Sequence, residues 1–103
     1  MDVVEYLEPS GRSPFGAWFR KLDVQAAAKA TAATTQLTQD NMSGVESVGA
    51  GVHEYRIHAG PGYRIYFGID GRVGILLAGG TKDTQRKDIA TAKARWKDYK
   101  RRK

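Results

Sequence analysis

Val52-His53-Glu54-Tyr55-Arg56-Ile57-His58-Ala59-Gly60-Pro61-Gly62-Tyr63-Arg64-Ile65-Tyr66-Phe67-Gly68 reads as two strands joined by a Gly/Pro turn, with cations where a simple core strand has no need of them. Strand side chains point alternately to opposite faces, so Tyr63, Ile65 and Phe67 share one face while Arg64 and Tyr66 share the other. In the first strand Tyr55 and Ile57 oppose Glu54, Arg56 and His58, and Ala59-Gly60-Pro61-Gly62 supplies the backbone freedom that a reversal needs. If the two polar faces coincide, Glu54, Arg56, His58, Arg64 and Tyr66 lie together on one sheet surface.

Working outward, Asp70-Gly71 is the dipeptide of a two-residue hairpin turn, which pairs the strand Tyr63–Ile69 with Arg72–Ala78. Val73-Gly74-Ile75-Leu76-Leu77-Ala78 is apolar on both faces, as a central strand is. Gly79-Gly80 reads as a structural turn out of the sheet. Thr81 or Asp83 then caps a last helix whose packing stripe is Ile89, Ala92, Trp96 and Tyr99. Upstream, Val3, Val4, Tyr6 and Leu7 form a β-prone run that stops at Pro9-Ser10-Gly11. Ser13 caps a helix with Pro14 in its first turn, and Phe15, Trp18, Phe19 and Leu22 follow at i, i+3, i+4 and i+7 as a core stripe. Asp23 caps a second helix, with Val24, Ala27, Ala28, Ala32 and Leu37 marked along it to about Gln39. A short strand, Val45–Val48, precedes a tight link or bulge at Gly49-Ala50-Gly51. The order β-α-α-β-β-β-β-α predicts an α+β domain: a mainly antiparallel sheet of four to five strands packed against two N-terminal helices and a C-terminal helix.

The 103 residues suit one domain, 1–103, and 41% hydrophobic with 27% charged residues is an ordinary globular composition. There are no cysteines, so neither disulfides nor thiolate metal sites are available, and a reducing cytoplasm fits. Acids at Asp2, Glu5 and Glu8 argue against a secretory signal, and no run approaches the roughly 20 apolar residues of a membrane span. The net charge of +6 is unevenly placed: residues 82–103 carry ten Lys and Arg against Asp83, Asp88 and Asp98, a balance of +7, and the remainder sums to −1. Such asymmetry points to a polyanion, nucleic acid first and an acidic protein second. The residues from about 100 to 103 read as a frayed basic tail.

Gly60-Pro-Gly62 and Gly79-Gly80 lack the Lys-Ser/Thr or third glycine of a phosphate loop. His53 and His58 fall on opposite faces of a regular strand and cannot jointly grip an ion. His53 reads as structural, and no cofactor is called for. What remains is the hairpin surface with Lys82 beyond the next strand. Cleaving RNA through its own 2′-hydroxyl needs a proton acceptor for that hydroxyl, cations for the charge building on phosphorus and a proton donor for the departing 5′ oxygen. Guanidinium suits phosphate, His58 or Glu54 can move protons, and Tyr66 can stack on a base or donate. The same residues read equally well as a solvated sheet face with ordinary cross-strand Glu–Arg pairs.

The hairpin, together with Ile75-Leu-Leu-Ala-Gly-Gly-Thr-Lys-Asp-Thr-Gln-Arg-Lys-Asp-Ile89 and Ala92-Lys-Ala-Arg-Trp-Lys-Asp-Tyr99, resembles the phage-derived Gp49-like, HigB-type toxins of the RelE/ParE superfamily. The resemblance implies a RelE-like compact fold and a type II toxin that cuts mRNA on the ribosome without a metal. Arg56, His58, Arg64 and Lys82 are its implied catalytic positions, His58 standing where RelE itself has lysine. Glu54, Tyr66, Arg86, Lys87, Tyr99, Lys100 and Arg101 are its expected RNA contacts. The late tyrosine of some RelE toxins falls near Asp88, so Tyr66 or Tyr99 would substitute. The implied partners are the ribosome, mRNA and a helix-turn-helix antitoxin, around a toxin that is itself monomeric. Inhibition of DNA gyrase in the manner of ParE, or a non-toxic RNA-binding relic, are the rival readings.

Overall fold

The computed structural model describes residues 1–103 and places its elements in the order β1 (Asp2–Glu5), α1 (Pro14–Arg20), α2 (Val24–Thr38), β2 (Val45–Gly49), β3 (Val52–Ile57), β4 (Tyr63–Asp70), β5 (Val73–Thr81) and α3 (Gln85–Arg102). A single 3-10 turn, Lys82–Thr84, joins β5 to α3. The five strands form one sheet in the order β1-β5-β4-β3-β2. Its β1–β5 pair is parallel and the other three pairs are antiparallel, which is the expected α+β architecture.

Local chemistry starts the helices where the sequence signals them. The Ser13 hydroxyl accepts the Gly16 amide at 2.9 Å and the Asp23 carboxylate accepts that of Ala26 at 2.8 Å, each satisfying one of the orphan donors of a first turn. Phe15 is buried, and Trp18, Phe19 and Leu22 pack around it with Ile57, Ile65 and Phe67 of the sheet. On the opposite sheet face Ala92 and Trp96 of α3 are buried against Val52, Tyr66, Ile75 and Leu77. The sheet is therefore a middle layer, with α1 and α2 on one side and α3 on the other, and β5 is apolar on both faces because both are covered.

A bulge in β5 sets which residue faces which layer. Tyr66 pairs with Ala78 but Phe67 pairs with Leu76, so Leu77 is the extra residue. Leu77 and Ala78 both join the α3 side, and alternation resumes beyond them. Gly79 and Gly80 are not a turn out of the sheet, because β5 continues through both to Thr81. They are small because each receives a side chain. A Cβ at Gly79 would sit 2.2 Å from the Trp18 ring, and one at Gly80 would sit 1.8 Å from Asp88 Oδ2.

Three further expectations shift. The hairpin loop between β4 and β5 is Gly71-Arg72, since Asp70 still pairs with Val73; Gly71 at φ 61° takes the first central position that a II′ turn reserves for glycine. The buried stripe of α2 is Ala26, Ala30, Ala33 and Leu37, while Val24 is 86% exposed. Residues 100–102 are not a frayed tail but the last turn of α3. Arg102 donates to the Leu7 carbonyl and to Asp98, and Lys103 reaches Asp70.

Candidate functional site

The register of β3 and β4 puts Glu54 opposite Tyr66 and Arg56 opposite Arg64, so the polar faces of the hairpin do coincide. Two arginines directly across a ladder repel each other. The arrangement holds because Glu54, 1% exposed, lies between them. Its Oε1 accepts Arg56 Nε at 3.1 Å, and its Oε2 accepts Gln85 Nε2 at 2.8 Å and stands 3.6 Å from Arg64 Nε. Glu46 on β2 takes Arg56 Nη2 at 3.1 Å, and Arg64 Nη1 donates to the Gly62 carbonyl at 3.0 Å. One buried carboxylate thus hydrogen-bonds Arg56, ties the start of α3 through Gln85 and stands within ion-pair distance of Arg64, whose buried Nε has no hydrogen-bond partner. The two carboxylates hold the Arg56 guanidinium above its ordinary pKa, with the hydrogen bond to Glu54 the larger cause and the charge of Glu46 the next.

Burial corrects two of the expected RNA contacts. Tyr66 is fully buried under α3 and has no ring face to offer a base. Its hydroxyl has no hydrogen-bond partner, and burial, reinforced by the charge of Glu54, pushes its pKa up, so it stays a neutral phenol. Glu54 is likewise out of reach of RNA, and with both oxygens occupied it is a poor proton shuttle. Its place is to position Arg56 and Arg64.

The other candidates divide between two ends of the sheet. Ile57 pairs with Tyr63 and Tyr63 with Thr81, so His58, Gly62 and Lys82 all lie just beyond the same strand ends. His58 and Lys82 are exposed there, and a Cβ on Gly62 would meet Arg64 Nη1 at 3.3 Å and Lys82 Cβ at 3.5 Å. Arg86 and Lys87 are exposed in the first turn of α3, next to the anchored Gln85. Arg56, His58, Arg64, Lys82, Arg86 and Lys87 therefore gather at one end.

Tyr99, Lys100 and Arg101 do not join them. The Tyr99 hydroxyl donates to Asp70 Oδ2 at 2.8 Å, at the far end of β4 from Tyr63, roughly 24 Å away at strand rise. Its ring stacks on Trp96 at 5.3 Å, Lys100 Nζ lies 5.6 Å from the centroid of that indole, and Arg101 is paired with Asp98. His53 stacks on Phe67 at 5.5 Å, in the structural role expected of it.

Three residues of the site are not among the expected site residues. Gln85 and Glu46 look like ordinary surface residues at a helix start and on an edge strand, and only the packing of α3 and β2 brings them to Glu54 and Arg56. Asp88 accepts the Thr84 hydroxyl at 2.5 Å and presses against Gly80, the cross-strand partner of Arg64. The glycine pair before Thr81-Lys82 was the available clue to a close approach.

Chemically, the turn end can hold a phosphate between oriented guanidiniums with an exposed imidazole and ammonium beside them. The sheet and its three helices are consistent with a RelE-like fold. An uncharacterized protein of Haemophilus influenzae (strain ATCC 51907 / DSM 11121 / KW20 / Rd) is 43% identical over 81 residues, covering 77% of this chain and 82% of that protein. The family model described as phage derived protein Gp49-like matches residues 17–97, the span that contains the whole clamp, and by that match the chain belongs to the Gp49-like family of addiction-module toxin-like proteins.

Proposed function

We propose that the protein is the toxin of a type II toxin–antitoxin system and acts as a ribosome-dependent endoribonuclease, cleaving mRNA through the RNA's own 2′-hydroxyl. The observation that carries this reading is the Arg56–Glu54–Arg64 clamp at the sheet end that also bears His58 and Lys82. Removal of the 2′-hydroxyl proton lets O2′ bond to phosphorus as the P–O5′ bond breaks, which leaves a cyclic phosphate and a 5′-hydroxyl. Arg64 stabilises the phosphorane charge, with Nη2 forming no hydrogen bond inside the chain. Arg56 and Lys82 bind the phosphate, and the exposed imidazole of His58 transfers the proton.

Membership of this family implies an antitoxin partner. That the antitoxin is a helix-turn-helix protein, and that the toxin is monomeric when free, belong to the proposal. So does a cytoplasmic location; no helix of the chain is long and apolar enough to cross a membrane. The test is incubation with ribosomes programmed with mRNA. Cleavage by the wild-type chain that is abolished in Arg64→Ala supports the reading. Intact mRNA, or cleavage indifferent to Arg64, sinks it, and ribosome-independent loss of gyrase supercoiling would replace it with the ParE-like activity.

A further inference from the structure

Strand β1 pairs with β5 only as far as Leu76, so the outer edge of Leu77–Thr81 is left open. Arg95 answers part of that opening. Its Nη1 donates to the Leu77 carbonyl at 2.8 Å, which draws a guanidinium from α3 down to the sheet edge. Beside it runs a groove of about 370 Å³ between α1 and α3, floored by Ala78 and Gly79 and lined by Arg12, Trp18, Lys21, Lys87 and Arg95. Lys87, Thr91 and Arg95 come from one stripe of α3 at i, i+4 and i+8.

What sets the groove apart is that its cations line one concave surface with few carboxylates to answer them. Arg12 has Glu8 at 3.5 Å, but Lys21, Lys87 and Arg95 have no carboxylate within ion-pair distance. Asp88 is the one acid in the lining, and it is already engaged by Thr84. At the other end of α3, Arg101, Arg102 and Lys103 are each neutralised by Asp98 or Asp70. Burial lowers the pKa of Arg95, which says that its charge is poorly solvated where it sits. Cations left unneutralised along one groove are what a polyanion relieves.

We infer that this groove is a track for the sugar–phosphate backbone of single-stranded RNA, extending the site at the turn end. The inference rests on the reading of RNA as the substrate and adds where the strand lies beside the scissile position. Continuity favours RNA over an acidic peptide. The groove floor at Gly79 is one residue from Gly80, the partner of Arg64, and Lys87 is one turn of helix from the 3-10 segment that begins with Lys82. Trp18, whose ring packs over Gly79 and against Phe15 and Tyr63, holds one wall of the groove in place.

The experiment compares the full wild-type chain, Lys21→Ala/Lys87→Ala and a charge-matched control, Lys29→Ala/Lys97→Ala. All four lysines are exposed and their side chains make no hydrogen bond within the chain, so truncation to alanine leaves the fold intact. Affinity for a short single-stranded RNA is measured between 50 and 200 mM salt, with an acidic peptide as a parallel ligand. Loss of two phosphate contacts lowers the slope of log K against log salt by about 1.4 for the groove variant and leaves the control at the wild-type slope. Equal slopes in all three chains, equal losses in both variants, no RNA binding by the wild type, or an effect on the acidic peptide alone would each overturn the track. Binding is read without cleavage, so a failure of the nuclease reading shows separately as intact mRNA on ribosomes.

Discussion

The two ends of the sheet carry similar numbers of cations and use them differently. At the α3 C-terminus Arg101 and Arg102 share Asp98, Lys103 takes Asp70, and Arg102 also covers the Tyr6 ring. At the turn end one buried carboxylate serves Arg56 and Arg64, while Lys82, Arg86 and Lys87 have no acidic partner. Neutralised surface cations fasten a helix, whereas oriented cations left with free donors are available to a phosphate. Counting basic residues along the chain does not distinguish these; the positions of Glu54, Asp70 and Asp98 do.

The sharpest way to break the contrast is at its centre. Glu54→Ala strips the buried Arg64 of its one carboxylate, while Arg56 keeps Glu46, and the largest loss of stability of the series is expected, read as a drop in the urea midpoint. The exchange Glu54→Gln/Gln85→Glu keeps a hydrogen bond to α3 but moves the carboxylate, so stability recovers while cleavage does not; recovery of both would show that the carboxylate merely tethers the helix. Next comes Arg64→Ala, expected to slow cleavage on programmed ribosomes by roughly 10²–10³-fold; because it also takes a cation from the buried Glu54, the urea midpoint falls too, and the rate is compared at equal folded fraction. Gly80→Ala forces a Cβ onto Asp88 and is expected to cost about 1–3 kcal/mol in urea unfolding, with activity falling because β5 and α3 must part beside Arg64.

The smallest effect belongs to the paired end. Hydrogen bonds from Tyr6 first, then from Arg101, hold the Asp98 carboxyl down at about 2, below the 3.8 usual for aspartate. A depressed folded pKa contributes stability that is fully present above about 4 and is lost as pH falls toward 2. Melting temperatures of wild type and Asp98→Asn should therefore converge across that window. Unchanged separation between pH 5 and 2 would show that Asp98 is not what fastens the helix end.

Much of this architecture is legible in the sequence. Ser13-Pro14, Asp23 and the aromatic stripe of α1 specified their helices locally, and period-two alternation put Glu54, Arg56, Arg64 and Tyr66 on one face. The stripe of α2 was misplaced because alanines on every side give no contrast between buried and exposed positions, so docking alone selected Ala26, Ala30 and Ala33. Gly79-Gly80 read as a turn because glycine is ambiguous between freedom and space, and only Trp18 and Asp88 resolve it to space. Likewise, nothing local predicts the extra residue Leu77 in β5 or the shift of the hairpin loop to Gly71-Arg72.

By itself the sequence determined element types and the composition of the cationic face, since these follow from periodicity and short-range hydrogen bonding. Tertiary structure alone decided that the face is half roofed by α3, which buries Tyr66 and Glu54, frees the turn end and pairs off the tail. The physical reason is that availability of a charge depends on which acids and which apolar surfaces come to it from distant parts of the chain.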